Sequence, residues 1–155
     1  MLLALLVTTL PTVEAKDLRS RFGLGFHQQI GAPLPISALS VRYGLPTGKP
    51  TSNIQLEADV GVAATASAPV DLYAGGRVLY SFVAEDNMNF YLAAGAGYAM
   101  QAGSGLVRVQ PAIGAEFFLF GLENLGLSLE WGVSADLGEA WTVSTAPNAA
   151  VHYYF

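Results

Sequence analysis

The chain has 155 residues, of which 52% are hydrophobic and only 12% are charged, with a formal net charge of −5 and no cysteine. This length suits a single domain, and the absence of cysteine excludes disulfides and thiolate sites. The acidic balance without a basic stripe argues against nucleic acid as a partner. No apolar run reaches the length of a membrane-spanning helix, whereas 17 glycines, seven tyrosines and eight phenylalanines favour a sheet.

The N-terminus combines an apolar stretch over residues 1–10 with Pro11 and the small-residue pattern Val13-Glu14-Ala15. This pattern predicts a secretory signal peptide over residues 1–15 that is cleaved after Ala15, followed by one domain over residues 16–155. A basic region before the apolar stretch is missing. The alternative interpretation is a short buried helix.

The rest of the chain alternates between apolar and small or polar residues with the period of two that β-strands have. The alternation predicts eight strands, over residues 21–30, 37–45, 54–62, 70–82, 90–101, 106–119, 125–137 and 147–155. Turns or loops are predicted between them, at residues 31–35, 46–52, 63–69, 85–87, 103–105, 121–124 and 138–146. Pro111 lies inside the sixth segment and cannot donate to a ladder, so we expect a bulge or a break in pairing there.

The two faces of these strands differ in charge and size. One parity is apolar and uncharged, as in Leu127, Leu129 and Trp131, whereas the other carries nearly all strand charges among Gly, Ala and Ser. Small residues suit the crowded inside of a narrow barrel, and closure satisfies the backbone groups that an open sheet would expose to lipid. We therefore predict an all-β, eight-stranded antiparallel up-and-down transmembrane β-barrel. A soluble carrier with its apolar face inside is the alternative.

Aromatic residues give a second test of which face is outside. If both termini lie on the periplasmic side, aromatic residues of the apolar parity collect near that end as one of the two interfacial girdles of such barrels. The predicted girdle consists of Phe22, Tyr43, Tyr80, Phe82, Phe90 and Phe117, together with the C-terminal Tyr153 and Phe155. The opposite girdle is thin, with Tyr98 and Phe26.

The last strand ends the chain on an aromatic residue, with Val151, Tyr153 and Phe155 on one parity. This resembles the closing strand of bacterial outer-membrane barrels, and the whole strand pattern is similar to the small eight-stranded family that includes the outer-membrane protein A transmembrane domain and outer-membrane protein X. The resemblance implies that these three residues form the signal read by the barrel-assembly machinery. It also implies a monomer in the bacterial outer membrane, in contact with its lipid. The loops depart from the family pattern, because residues 31–35 and 103–105 are short and residues 46–52 are long, which weakens a receptor or adhesin role.

Charged residues of the inner parity are predicted to pair with one another, since an isolated charge in a narrow interior is costly. The predicted lumen network consists of Arg42, Glu57, Asp59, Arg77, Arg108, Glu116 and Glu130. The network would be either a fixed plug or the gate of a narrow pore. Because an eight-stranded interior has just enough room for side chains, the plug is favoured, with a structural or low-conductance role.

Catalytic chemistry has little support in the sequence. The alternative function is that of a lipid A-modifying enzyme, because a deacylase of this fold uses a His and a Ser close together near the outer end, with a Glu. His27 has no neighbouring Ser in the chain, and His152 falls near the periplasmic end. Glu57 and Asp59 share a face, but arginines are better partners for them than a sugar. Two distant histidines and scattered carboxylates show no ligand spacing, so we predict no catalytic residue, cofactor or metal.

Overall fold

The computed structural model describes residues 16–29, 37–48, 53–64, 66 and 69–155. The predicted signal peptide over residues 1–15 and the predicted turn at residues 31–35 lie outside the described residues, as do parts of the loops at residues 46–52 and 63–69. None of the described residues belongs to an apolar helix long enough to cross a membrane.

Eight strands form the structure, and each pairs antiparallel with the next in the chain until β1 pairs with β8 and closes the barrel. The strands are β1 (Phe22–Gln29), β2 (Ser37–Gly44), β3 (Ile54–Ala63), β4 (Asp71–Glu85), β5 (Met88–Gln101), β6 (Ser104–Leu119), β7 (Leu122–Leu137) and β8 (Trp141–Tyr154). The predicted fold class, an all-β, eight-stranded, antiparallel, up-and-down barrel, is confirmed.

Three predicted connections are wrong because they belong mostly to strands. The predicted turn over residues 103–105 moves to residues 102–103, since β6 begins at Ser104, which pairs with Gln101. The predicted loop over residues 138–146 shrinks to residues 138–140, since β8 begins at Trp141 and pairs with β7 from Leu137 onward. The predicted turn over residues 121–124 shrinks in the same way, because β7 begins at Leu122 directly after Gly121, whose φ is 80°. In β8 the outward Thr145 and Pro147 interrupt the apolar parity, so the alternation did not predict the first half of this strand.

Pro111 breaks pairing on one side only. It pairs in register with Ala94 of β5, but the described β6–β7 pairs pass from Val109–Ala135 directly to Ala112–Gly132. Because proline has no N–H to donate, the ladder is interrupted without a shift in register. The expected break is therefore present at Pro111 and the expected bulge is not.

The apolar parity faces outward and the polar parity faces inward. Leu129 and Trp131, in the middle of β7, are 61% and 62% exposed, whereas Glu130 between them is 6% exposed. The soluble-carrier alternative requires an apolar interior, and the interior of the described barrel is instead rich in charged and amide side chains. That alternative is therefore wrong.

Candidate functional site

The barrel lumen collects all seven residues of the predicted network. Each is at most 6% exposed and lies on the inward parity of its strand; they are Arg42, Glu57, Asp59, Arg77, Arg108, Glu116 and Glu130. Five of them form one connected cluster, Asp59 lies at its margin, and Arg108 pairs separately.

The centre of the cluster is an alternating row of two arginines and two glutamates. Arg42 Nε donates to Glu57 Oε2 at 2.8 Å, and Arg77 Nη2 donates to both oxygens of Glu57 at 2.9 Å. Arg77 Nη1 also donates to Glu130 Oε2 at 2.7 Å, and the Tyr91 hydroxyl donates to Glu130 Oε1 at 2.7 Å. The row links β2, β3, β4, β5 and β7 across the lumen, so it fills the middle of the barrel.

A branch of the cluster extends toward the end of the barrel that holds the chain termini. Arg42 Nη1 donates to Glu116 Oε1 at 2.9 Å, and the same oxygen accepts from the Tyr154 hydroxyl at 2.8 Å and from Ser128 Oγ at 3.3 Å. Arg42 is the only arginine that pairs with Glu116 among the described residues. Glu116 therefore depends on Arg42 for its countercharge.

Arg108 forms a separate pair nearer the opposite end. Its Nε and Nη2 donate to the two oxygens of Asp136 at 2.6 and 2.7 Å, and its Nη1 donates to Gln29 Oε1 at 2.7 Å. This bidentate geometry fixes both side chains. Asp136 lies directly across from Arg108 in the β6–β7 register, a partnership that the inward parity alone did not identify.

A segment before β1 covers the lumen at the terminal end. Leu18 is fully buried in a cluster with Phe118 and Tyr154, and its carbonyl lies where a Cβ on Gly44 would stand. Partial burial lowers the pKa of the Lys16 ammonium, and hydrogen bonds from Arg19 lower the pKa of the Asp17 carboxyl. We call residues 16–21 the N-terminal cover. The sequence did not reveal it, because a single apolar residue between charged ones has no periodic signal.

The opposite end of the lumen contains several small inward residues on β4 and β5. Tyr73, Gly75, Gly95 and Gly97 face inward from β4 and β5 and are only half-buried. The ring of Tyr73 lies close against Gly75 and Gly97, where a Cβ would collide with it. The Tyr73 ring thus occupies the space that these small residues leave, and the arginine–glutamate row lies deeper in the lumen.

One buried arrangement contains the residue types of a catalytic triad. His152 Nε2 lies 2.9 Å from Ser40 Oγ, and Ser40 Oγ donates to Glu57 Oε1 at 3.1 Å. The serine therefore stands between the other two groups, whereas nucleophilic catalysis requires a histidine between the serine and the acid. His152 and Ser40 are also fully buried. Their proximity was missed in the sequence because they are 112 residues apart.

The six residues of the predicted girdle that precede β8 all point outward, with exposed fractions between 37% for Phe90 and 46% for Tyr80. Strand pairing keeps them toward the terminal end; they are Phe22, Tyr43, Tyr80, Phe82, Phe90 and Phe117. At the other end Trp141 is 75% exposed beside Leu137, an aromatic residue that the wrong loop prediction had concealed.

The three residues of the predicted assembly signal lie on one outward row at the end of β8. Tyr153 and Phe155 are in edge-to-face contact, with ring centroids 5.1 Å apart, and Val151 lies two residues before them. The Phe155 N–H donates to the Phe22 carbonyl at 2.8 Å. The C-terminus is therefore held against the first strand.

Comparison with known proteins finds similarity of structure. No protein-family model matches the chain, and no curated protein matches its sequence. The structure is similar to the N-terminal β-barrel domain of Pseudomonas aeruginosa OprF, with a TM-score of 0.63 and 12% identity over 88% of this chain and 98% of that one. It is also similar to the Yersinia pestis outer membrane protein Ail in a phospholipid bilayer nanodisc, with a TM-score of 0.55 and 12% identity over 87% of this chain and 97% of that one. The predicted resemblance to small outer-membrane barrels is confirmed at the level of the fold.

Proposed function

We propose that this chain is an integral outer-membrane barrel with a closed lumen and a structural role in the bacterial envelope. The observation that supports it is the inversion of polarity. Large apolar side chains cover the outside, and the buried side chains are mainly polar or charged. An exposed surface of this kind is stable in lipid and costly in water.

The geometry of the barrel suits a bilayer. Closure leaves no sheet edge, so the strands carry no unpaired row of backbone groups that lipid would have to solvate. Strands β4 to β8 have 14–16 residues, more than the roughly 9–11 that a tilted strand needs to cross. The outward aromatic residues would then lie at the interface on the terminal side.

Two features support a closed lumen over a permanent pore. The arginine–glutamate row fills the middle of the barrel, and Leu18 with its aromatic neighbours fills the terminal end. A passing ion would have to separate buried pairs, and breaking one such pair costs roughly 3–5 kcal/mol. No catalytic step forms part of this proposal, since the buried His152–Ser40–Glu57 arrangement has the wrong order.

The test combines localisation with conductance. Membrane fractionation is expected to recover the chain with the outer membrane, and the refolded protein inserted into a planar bilayer is expected to show no stable conductance. Insertion is checked separately by protease protection of the protein refolded into vesicles of the same lipid. Recovery in a soluble fraction would contradict the proposal of a membrane barrel, and steady open channels would contradict the closed lumen.

A narrow, low-conductance pore is the second candidate, favoured by the partial exposure of the inward residues Tyr73, Gly75, Gly95 and Gly97 at the end opposite the termini. In that case the arginine–glutamate row is a gate. Glu130→Gln would weaken the contacts of Arg77 and increase the frequency of openings, whereas Asp136→Asn, in the separate Arg108 pair, would not. Discrete steps with this dependence on position would favour the pore over the plug.

We also propose that the C-terminal strand is recognised by the barrel-assembly machinery and that the protein is a monomer. Tyr153 and Phe155 lie on the outer face, where a partner can reach them during insertion. Phe155→Ala is expected to lower the amount assembled in the outer membrane without changing refolding in detergent. Equal amounts of Phe155→Ala and unmodified protein in the outer membrane of cells would argue against such recognition.

A further inference from the structure

Three ligand-type side chains from two strands meet inside the lumen. His27 Nδ1 lies 3.8 Å from Glu57 Oε1 and 3.7 Å from Asp59 Oδ2, and the ligand atoms of the three residues all lie within 4.8 Å of one another. His27 reaches from β1 to β3 because β2 carries only the small Ala38 opposite it, and Gly61 follows in the same row. Strand pairing therefore creates a group that sequence spacing did not suggest.

Several buried polar atoms of Asp59 and His27 have no hydrogen-bond partner among the described residues, which indicates a ligand site and not only an internal ion pair. Asp59 is fully buried, yet neither carboxylate oxygen accepts a hydrogen bond from the described residues. His27 Nε2 also lacks a hydrogen-bond partner among them. The nearest arginine nitrogen, Arg77 Nε, forms an ion pair with Asp59 Oδ2 at 3.9 Å, too long for a hydrogen bond, and Nε has no hydrogen-bond partner among the described residues. Both Arg77 amino groups are engaged with Glu57 and Glu130. A buried carboxylate that accepts no hydrogen bond and has only the longer ion-pair contacts to His27 and Arg77 is costly, so this site favours a cation.

The charges of the lumen support the same conclusion. Among the buried side chains of the described residues, three arginines face five carboxylates, which leaves two negative charges uncompensated when histidine is neutral. Arg108 and Asp136 compensate each other. The excess therefore belongs to the central cluster, and one divalent cation would balance it.

We propose that His27, Glu57 and Asp59 bind one divalent transition-metal ion of the zinc class. An imidazole nitrogen with carboxylate oxygens is a donor set that such ions accept, whereas Mg²⁺ prefers oxygen ligands alone. Zinc bond lengths of about 2.0–2.2 Å place tetrahedral ligand atoms roughly 3.3 Å apart. The distances of 3.8 and 3.7 Å from His27 Nδ1 to Glu57 and Asp59 approach this spacing, and small side-chain shifts would bring all three ligand atoms, now within 4.8 Å of one another, onto one ion. Asp59 would supply oxygens that accept no other hydrogen bond, while Glu57 would share Oε1 with Arg77 and Ser40.

The surroundings can complete the coordination shell. A cavity of about 10 Å³ beside His27 is lined by Gln29, Ala38, Tyr73 and Arg108. This is near the smallest volume that holds one water molecule, which could accept the proton of the second histidine nitrogen and fix the ring. The ion would join β1 to β3 across β2 and stabilise the lumen. The site rests on interior geometry and does not depend on where the barrel resides.

The test is a titration of the refolded, tag-free protein, stripped with EDTA, with Zn²⁺ as the probe. We expect one Zn²⁺ per chain by calorimetry and a higher unfolding temperature with Zn²⁺ present. His27→Gln and Asp59→Asn should weaken binding at least tenfold. His152→Gln, which removes the other buried histidine, should leave binding unchanged, and Mg²⁺ should not raise the unfolding temperature.

The direction in which Asp59→Asn shifts the unfolding temperature in EDTA distinguishes a metal site from a simple ion pair. In EDTA, Asp59→Asn removes an uncompensated buried charge, so this variant should unfold at a higher temperature than the unmodified chain. If Asp59 served only as a partner for His27 or Arg77, the same change would lower the unfolding temperature. The proposal is overturned by that lowering, by the absence of Zn²⁺ uptake in the unmodified chain, by an equal effect of Mg²⁺, or by binding that survives both site variants.

Discussion

Replacing Arg42 with methionine tests the lumen network at its most connected residue. Arg42 is fully buried and donates to Glu57 at 2.8 Å and to Glu116 at 2.9 Å. Glu57 keeps Arg77 when Arg42 is removed, but Glu116 keeps only the hydroxyls of Ser128 and Tyr154. The variant therefore leaves one carboxylate buried without a countercharge.

Removing one partner of a buried pair costs about 3–5 kcal/mol, and we expect Arg42→Met to lower the free energy of unfolding by that amount. Most of this loss arises from the unpaired Glu116. The double variant Arg42→Met/Glu116→Gln removes the stranded charge and should recover about 2 kcal/mol or more, because a neutral replacement of a whole buried pair is often tolerated. Glu116→Gln alone should cost much less than Arg42→Met, since a glutamine oxygen can still accept from Tyr154.

The assay is reversible urea unfolding in lipid vesicles, followed by the fluorescence of Trp131 and Trp141, both of which lie on the outer face. Arg19→Met is the matched control, because Arg19 lies outside the lumen in an exposed pair with Asp17, and it should cause little change. An Arg42→Met barrel as stable as the unmodified chain would refute the network as a source of stability. Additive effects of Arg42→Met and Glu116→Gln would refute the coupling between them.

Two further substitutions test the outer face and the N-terminal cover. Leu129→Arg, in the middle of β7, should lower the free energy of unfolding in bilayers by roughly 2–4 kcal/mol. The control is Phe120→Arg in the exposed β6–β7 turn, which should lower it far less. Equal losses of stability in the two variants would contradict the assignment of the lipid-facing surface. Gly44→Ala should displace the cover, because the added Cβ would collide with the Leu18 carbonyl, and trypsin should then cut faster at Arg19. Gly48→Ala, whose Cβ would meet nothing within 4 Å, is the control, and equal cleavage of both variants would argue against a fixed cover.

The sequence predicted the barrel well because one physical rule governs every strand. Side chains alternate across a sheet, so the charge-free parity of β7 from Leu125 to Leu137, with Leu129 and Trp131, had to share one face. Eight such segments and the need for closure are sufficient to define the architecture. The alternation failed only where its signal was interrupted, as at Thr145 and Pro147 of β8.

Partners inside the lumen could not be predicted in the same way. Parity places His27, Ser40, Asp59 and His152 inside, but the stagger of neighbouring strands decides which of them meet. The sequence therefore identified Arg42 and Glu57 as lumen residues without revealing the His152–Ser40 contact or the approach of His27 to Asp59. The cover was missed for a different reason, since Leu18 acts through one tertiary contact with Phe118 and Tyr154 and not through a repeated pattern.

The central claim is that the apolar outside of this barrel contacts lipid, and Trp131 can report on it directly. Trp131 lies in the middle of β7 and is 62% exposed, and Trp141→Phe leaves it as the single tryptophan. In vesicles whose acyl chains carry bromine at mid-depth, we predict strong quenching of Trp131 and little effect of aqueous iodide. Strong quenching by iodide with no response to the brominated chains would contradict the claim.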